Sequence, residues 1–208
     1  MSEAGARRID LVVVLHGVGA RGADLAPIAR AWARRLSGIR FITPDAPQPF
    51  DEDPGLRQWY SITGVTPTTR AERVASAAPA FDAVIDAEIA RAGTCAARTV
   101  LVGFSQGGSM ALDAVGRGRD FAGLLAMSTR LAAPPARRLD GFPVRIVHGE
   151  ADGVILVTEA ERIRDVLAAA GARVDLVRVP GCDHAIDLAA AKAGLAFLRE
   201  MAAGVAVA

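Results

Sequence analysis

The chain has 208 residues, of which 51% are hydrophobic, and its formal net charge at pH 7 is +1. A chain of this length and apolar content can bury a full core, so we expect a single domain over residues 1–208, with residues 1–8 flexible. The near-neutral charge excludes the strongly basic proteins that bind nucleic acid through its phosphates, and two cysteines are too few for a disulfide framework.

Six short apolar runs predict β-strands, because each is too short for a buried helix and most are rich in β-branched residues or leucine. In chain order they cover residues 9–15, 39–43, 99–102, 123–127, 144–147 and 174–179. Apolar residues at helical spacing predict helices near residues 24–36, 70–92, 106–116, 158–170 and 186–202. This alternation predicts an α/β fold, with a mostly parallel, doubly wound sheet of about six strands and helices on both faces.

Local signals predict where two of the helices begin and end. Thr69 with Glu72 matches a capping box for the second helix, and Gly93 predicts its end. Pro79 lies inside the same helix and predicts a kink or a split there, because proline has no N–H to donate. Gly171 predicts the end of the fourth helix in the same way.

The segment Gly-Phe-Ser-Gln-Gly at residues 103–107 follows the third strand and matches the G-x-S-x-G pattern of a nucleophile elbow. Such an elbow holds Ser105 on a tight strand-to-helix turn, where a Cβ at position 103 or 107 would collide with the neighbouring helix or strand. The alternative is an ordinary connection that happens to carry a serine. The pattern also predicts an acid and a histidine later in the chain.

Candidates for this acid and histidine follow the last two predicted strands. Asp152 and His184 each lie just past the carboxyl end of a strand, where open α/β sheets gather their ligands. Glu150 is a rival acid, and we favour Asp152 because it lies deeper in the loop. Asp183 is disfavoured, since neighbouring side chains in an extended loop diverge. The chain order Ser105, Asp152, His184 is the order used by hydrolases of this architecture.

These three residue types suit nucleophilic catalysis. A serine hydroxyl needs a base to take its proton, and a carboxylate fixes the tautomer of that base and stabilises the imidazolium. The other two histidines, His16 and His148, each close a strand in a His-Gly pair. We interpret both as structural residues whose rings bond nearby backbone.

An oxyanion formed by serine attack requires two backbone N–H donors. Gln106 follows the nucleophile and is the first predicted donor. The second is expected in the glycine-containing loop 16–20, and we assign it to Val18. A phosphate cradle is the alternative for this loop, but the loop lacks the Walker lysine and the full G-x-G-x-x-G pattern.

Six motifs occur in order along the chain: LHGVG at 15–19, TPDAP at 43–47, WYSI at 59–62, GFSQGG at 103–108, HGEAD at 148–152 and GCDH at 181–184. Together they resemble the phospholipase/carboxylesterase family of α/β-hydrolases, which includes carboxylesterases, lysophospholipases and acyl-protein thioesterases. The resemblance implies triad roles for Ser105, Asp152 and His184. It also implies oxyanion roles for Val18 and Gln106, and a place for Trp59 near the acyl pocket.

The resemblance and the right-handed crossovers of parallel sheets imply an α/β-hydrolase fold with the spatial strand order 2-1-3-4-5-6. Two departures from the family are visible. Only eight residues precede Ile9, where the family usually carries a β-hairpin, so the N-terminal edge of the sheet is expected to be shortened. Residues 153–156 read Gly-Val-Ile-Leu where the family tends to show a Val-Pro pair, so the pocket wall is expected to differ there.

Two long connections, residues 44–69 and 128–142, are expected to build the substrate pocket, because loops of this length are uncommon unless functional. We assign substrate contacts to Trp59, Leu131 and Ile155. The alternative for Trp59 is a place in the core. Neither connection is large enough for a helical lid, so we expect an open site for small or single-chain esters.

We therefore predict a serine carboxylester hydrolase that works through an acyl-enzyme. The alternatives are an acyl thioesterase or lysophospholipase with the same triad, and a non-catalytic hydrolase-fold binding protein. We expect no cofactor and no metal, and we interpret Cys182, beside His184, as a packing residue.

The expected partner is a small-molecule ester, with no nucleic acid. The first apolar stretch, residues 11–15, is too short for a membrane span or a signal-peptide core, so a cytoplasmic location is the default expectation. A homodimer is compatible with the sequence.

Overall fold

In the computed structural model, the described residues are 9–204, so the flexibility expected for residues 1–8 lies outside them. The elements in chain order are β1 Leu11–Leu15, α1 Gly22–Ala33, β2 Arg40–Ile42, β3 Gln48–Pro49, β4 Arg57–Gln58, α2 Arg70–Arg91, β5 Thr99–Phe104, α3 Gln106–Gly116, β6 Gly123–Met127, β7 Pro143–Gly149, α4 Val157–Ala169, β8 Arg173–Val179 and α5 Leu188–Ala203. A short 3-10 turn, Ala96–Arg98, precedes β5.

Six parallel strands form the central sheet in the order β2-β1-β5-β6-β7-β8. These are the six predicted strands, and their order is the predicted one. Within residues 9–204, β2 is the edge strand next to β1, in agreement with a shortened N-terminal edge. The strands β3 and β4 form a separate antiparallel pair inside the first long connection.

Strand β1, which lies between β2 and β5, is buried on both faces, which explains its unbroken apolar sequence. Its side chains alternate between two hydrophobic clusters, as the pleat requires. Leu11, Val13 and Leu15 belong to one cluster, whereas Val12 and Val14 belong to the other.

Helices cover both faces of the sheet, as predicted. On the first face lie α2, α3 and α4, which contribute Phe81, Met110 and Ile163 to the core. On the second face lie α1 and α5, which contribute Trp32 and Phe197. The sheet is therefore the middle of three layers, and its hydrophobic faces are both shielded from water.

Two features predicted for α2, the split at Pro79 and the capping box at Thr69, are absent from the described helix. The helix runs through Pro79 as one element, so it is not split. The capping box is absent, because the Thr69 hydroxyl accepts a hydrogen bond from Thr66 N at 3.0 Å instead of capping the helix. The predicted ends at Gly93 and Gly171 are confirmed, since both glycines follow their helices with positive φ, 64° and 95°.

The loops after the carboxyl ends of β1, β5, β6, β7 and β8 lie along one edge of the sheet, because all six strands are parallel. This arrangement collects residues that are distant in sequence at one place. Among the described residues, no helix combines the length and apolar character needed to cross a membrane.

Candidate active site

The elbow between β5 and α3 holds Ser105 in a strained backbone conformation. Its φ is 52° and its ψ is −117°, and non-glycine residues seldom adopt a positive φ. A Cβ at Gly103 would lie 2.4 Å from Gly108 Cα, and one at Gly107 would lie 2.5 Å from Leu15 O. Close backbone approach therefore requires both glycines, as predicted.

Side chains from three loops form one hydrogen-bonded chain. Ser105 Oγ lies 3.0 Å from His184 Nε2, and His184 Nδ1 lies 2.8 Å from Asp152 Oδ2. Because a carboxylate only accepts, Nδ1 carries the ring proton, and Nε2 is free to accept from the serine hydroxyl. The side chain of Asp152 is fully buried, whereas that of His184 is 19% exposed. The arrangement can transfer the serine proton to the histidine.

The loop after β7 keeps Asp152 ionised. Its Oδ1 accepts hydrogen bonds from Val154 N at 2.9 Å and from Ile155 N at 2.8 Å. Burial alone would raise the pKa of Asp152, but these donors and the His184 ring outweigh burial and hold it below its ordinary value. The charged carboxylate can therefore fix the tautomer of His184.

The two rival acids point elsewhere. Glu150 and Asp183 are both exposed. Within residues 9–204, the hydrogen-bond partners of the His184 ring are Ser105 and Asp152. The structure thus pairs the histidine with the acid that we favoured from the sequence.

His16 is fully buried and bonds nearby backbone through both ring nitrogens, as expected of a structural histidine. Ala46 N donates to Nε2 at 3.0 Å, and Nδ1 lies 2.7 Å from Gly17 O. Since Nε2 accepts, the proton of the neutral ring is on Nδ1, which donates to Gly17 O. Burial lowers the pKa of His16 and so favours this neutral form.

His148 is also fully buried, and it supports the acid loop. Its Nε2 lies 2.7 Å from Ile155 O and 3.4 Å from Asp152 Oδ2. Its Nδ1 is buried and has no hydrogen-bond partner within residues 9–204. The sequence suggested a structural role for this histidine but not its contact with Asp152, because no local pattern shows which side chains meet behind the loop.

The two predicted oxyanion donors lie on segments that touch each other. A Cβ at Gly17 would lie 3.2 Å from Ser105 Cβ, so the loop 16–20 runs directly beside the elbow. Gln106 is the first residue of α3, where a backbone N–H has no partner within the helix. The N–H of Val18 likewise has no protein acceptor among the described residues. Among the described residues, the segments on both sides of Ser105 therefore each carry a backbone donor without a protein acceptor.

The residues after β4 connect these two segments. Trp59 N donates to Gln106 Oε1 at 2.8 Å, and Gln106 Nε2 donates to Tyr60 O at 2.7 Å. The indole N–H of Trp59 donates to His16 O at 2.9 Å. The side chain of Gln106 is therefore structural, a role that the sequence did not suggest.

The three residues assigned to substrate contact lie in the interior. Trp59 is 1% exposed, Leu131 5% and Ile155 4%. The ring of Trp59 packs edge-on against Phe81 at 5.3 Å, which is the core position that we considered as its alternative. Their burial leaves these side chains little surface to offer a ligand, and their contact with substrate stays a prediction.

Exposed apolar side chains instead flank Ile155. Val154 is 61% exposed and Leu156 is 64% exposed. Both belong to the acid loop, at the positions where the sequence departs from the family's Val-Pro pair. That departure was the signal available in the sequence, but it did not show which of the three apolar residues faces outward.

Cys182 is a packing residue in this structure. Its thiol is buried and lies 3.5 Å from Asp183 O and 3.6 Å from Ala185 O. Burial raises the pKa of this thiol, which disfavours the reactive thiolate. Over residues 9–204, no three His, Cys, Asp or Glu side chains are grouped closely enough to hold a metal ion.

A strained elbow serine is hydrogen-bonded to a histidine, which is hydrogen-bonded in turn to a buried carboxylate, and all three follow strands of a parallel sheet. This combination defines the α/β-hydrolase class. Comparisons with known proteins agree. The phospholipase/carboxylesterase family model matches residues 2–201.

Esterase YpfH of Escherichia coli is 29% identical over 178 residues, which cover 85% of this chain and 76% of the relative. Acyl-protein thioesterase 1 of Neurospora crassa is 30% identical over 206 residues, which cover 89% and 84%. The crystal structure of esterase PE8 superposes with a TM-score of 0.86 at 30% identity and covers 93% of each chain. The chain belongs to the phospholipase/carboxylesterase family and is a hydrolase of the ester-cleaving type.

Proposed function

We propose that the protein hydrolyses carboxylic esters through an acyl-enzyme, with Ser105 as nucleophile, His184 as general base and Asp152 as its orienting acid. The observation that carries the proposal is the hydrogen-bonded chain from Ser105 Oγ to His184 Nε2 at 3.0 Å and from His184 Nδ1 to Asp152 at 2.8 Å. These distances allow proton transfer without rearrangement of the side chains.

In the first half-reaction, Ser105 Oγ attacks the ester carbonyl while its proton passes to His184 Nε2. The tetrahedral intermediate then expels the alcohol, which takes that proton. In the second half-reaction, His184 deprotonates a water molecule that attacks the acyl-enzyme, and the acid product leaves Ser105 with its proton restored. The charged Asp152 stabilises the imidazolium formed in both steps.

The backbone N–H groups of Val18 and Gln106 would bind the oxyanion of both intermediates. They suit this task because they lie on the two segments beside Ser105 and have no protein acceptor within residues 9–204. Loss of one such donor typically lowers kcat by about 10²–10³.

We propose small or single-chain esters as the substrate class. The exposed Val154 and Leu156 offer an apolar surface on the acid loop for the acyl chain or the alcohol group. Trp59, Leu131 and Ile155 would support the walls of the site from behind, where they are buried. Residues 59–60 and 155 would act on the site indirectly, because their backbone hydrogen bonds hold the neighbouring segments of the site in place.

A thioesterase is the second candidate, because one of the relatives above is an acyl-protein thioesterase and the same serine chemistry cleaves thioesters. A cytoplasmic location and a homodimer are further proposals. Size-exclusion chromatography with light scattering tests the homodimer.

The test uses the full chain with p-nitrophenyl esters from acetate to dodecanoate and with thioesters of the same acyl groups. We expect turnover that Ser105→Ala abolishes, and stoichiometric labelling of the wild type by a fluorophosphonate probe. A higher kcat/KM for thioesters of every chain length would favour the thioesterase. Labelling without turnover of any substrate would favour a binding protein.

A further inference from the structure

Each proposed oxyanion N–H belongs to a peptide group whose carbonyl oxygen is held by a buried side chain. In a planar trans peptide, the C=O of one residue and the N–H of the next point in opposite directions. Fixing the oxygen on one side therefore fixes the direction of the donor on the other. Both peptides of the site are fixed in this way, by residues from different parts of the fold.

The first peptide joins Gly17 to Val18. Its oxygen, Gly17 O, accepts a hydrogen bond from His16 Nδ1 at 2.7 Å. The bond requires the Nδ1–H tautomer, and Ala46 N selects that tautomer by donating to Nε2 at 3.0 Å. Because the ring is fully buried, water cannot replace either bond, and Val18 N–H is held away from the ring.

The second peptide joins Ser105 to Gln106. Its oxygen, Ser105 O, accepts from Thr129 Oγ1 at 2.6 Å and from Ser109 N at 3.2 Å. Thr129 is fully buried. A Cβ at Gly108 would lie 2.6 Å from Thr129 Oγ1, so the glycine leaves the space in which the hydroxyl sits.

The chain departs from regular geometry to place Thr129 there. Ser128, directly after β6, has a φ of 42°, a conformation that non-glycine residues seldom adopt. Ser128 N donates to Val147 O at 3.0 Å, and this bond anchors the turn to the next strand. Such strain persists only where the surrounding structure fixes it, and it is concentrated at functional sites.

We propose that His16 and Thr129 are positioning residues that orient the two oxyanion donors, Val18 N–H and Gln106 N–H, by holding the carbonyl oxygens of the same peptides. The inference rests on the proposed esterase function. Neither side chain touches the substrate, so their loss acts on the transition state, in which the oxyanion exists, more than on substrate binding. The effect therefore falls on kcat and leaves KM nearly unchanged.

The first test compares Thr129→Val with Thr129→Ser. Valine keeps the shape and removes the hydroxyl, whereas serine keeps the hydroxyl. We expect a kcat about 10- to 100-fold lower in Thr129→Val, with KM within about threefold of the wild type, since a misoriented donor costs less than a missing one. Thr129→Ser should recover most of this loss. Affinity for a trifluoromethyl ketone, whose serine adduct carries an oxyanion, should fall in parallel with kcat.

Thr94→Val is the matched control. It removes a threonine hydroxyl that donates to Asp10 Oδ2 at 3.1 Å. Thr94 precedes β5 and Asp10 precedes β1, so this bond lies at the edge of the sheet opposite to the active site. Its kinetics should equal those of the wild type. The proposal is overturned if Thr129→Val keeps kcat within about threefold, if its loss lies in KM alone, or if Thr129→Ser loses as much activity as Thr129→Val.

The second test compares His16→Asn with His16→Gln. The asparagine amide can occupy the position of Nδ1 and donate to Gly17 O, whereas the glutamine amide can occupy the position of Nε2 and accept from Ala46 N. We expect the asparagine variant to keep the higher kcat. The opposite order would show that the bond to Ala46 matters more and would overturn the role of His16.

The wild type and Ser105→Ala separate this inference from the proposed function. If the wild type has no more turnover than Ser105→Ala, the esterase proposal fails. If the wild type is active, the ratio of kcat for Thr129→Val to that for the wild type decides the inference, even if the His16 variants do not fold.

Discussion

The change Asp152→Asn tests the proposed acid because its effect can be worked out from the hydrogen bonds. Oδ1 of Asp152 accepts from Val154 N and Ile155 N, and Oδ2 accepts from His184 Nδ1. An asparagine can accept only through its oxygen. If that oxygen stays with the two backbone donors, the new NH₂ faces His184 and donates to Nδ1.

This orientation moves the ring proton of His184 to Nε2, where it blocks transfer from Ser105. The opposite orientation restores the working tautomer but leaves Val154 N–H and Ile155 N–H without acceptors. The loss costs about 1–3 kcal/mol at the buried Ile155 N–H and at most as much at the part-buried Val154 N–H, so the working orientation lies about 1–6 kcal/mol higher. We therefore expect kcat to fall by about 10⁴, the size of the effect in other triads. This corresponds to about 5.4 kcal/mol in the activation barrier.

The assay is the kcat of p-nitrophenyl butyrate hydrolysis, with thermal melting as a check on the fold. Glu150→Gln is the matched control, because it makes the same chemical change two residues away on an exposed side chain. We expect this control to retain full activity. The reasoning is refuted if Asp152→Asn keeps more than about a tenth of the wild-type kcat, or if Glu150→Gln is the more damaging change.

Three further predictions concern stability and metal. Gly107→Ala should lower the free energy of unfolding, measured by urea titration, by about 1–3 kcal/mol, because the new Cβ would lie 2.5 Å from Leu15 O. Gly153→Ala is the control and should leave the free energy of unfolding unchanged, because no atom lies within 4 Å of its new Cβ. Burial opposes ionisation of Glu159, but Arg162 and a backbone N–H hold its pKa below the ordinary value of 4.5. The ionised Glu159 therefore stabilises the folded state above pH 4.5, and this stabilisation is lost as the pH falls through the lowered pKa. When the pH is lowered from about 6 to about 3, the free energy of unfolding should therefore fall less in Glu159→Gln than in the wild type. An equal fall in both proteins would contradict this. EDTA should leave kcat/KM unchanged, since the proposed electrophile is backbone N–H; inhibition that added Zn²⁺ reverses would contradict the mechanism.

The amino-acid sequence by itself determined the six strands, the elbow serine Ser105 and its histidine His184, and together with the family resemblance it implied the strand order. Strands buried on both faces have unbroken apolar sequences, and parallel strands bring their following loops to one edge. The glycines at 103 and 107 carry a steric requirement that is local, so the elbow could be recognised from five consecutive residues. Ser105 and His184 could therefore be paired although 79 positions separate them.

Only the tertiary structure decided which side chains turn inward and what they bond. Asp152 and Glu150 are two residues apart on one loop, and the backbone donors that select Asp152 are set by how the loop folds. The burial of Trp59 depends on Phe81 and His16, which lie on other elements. The hydrogen bonds from His16 and Thr129 to backbone oxygens leave no pattern in the sequence, because a carbonyl acceptor is present at every residue and its orientation is fixed only by packing.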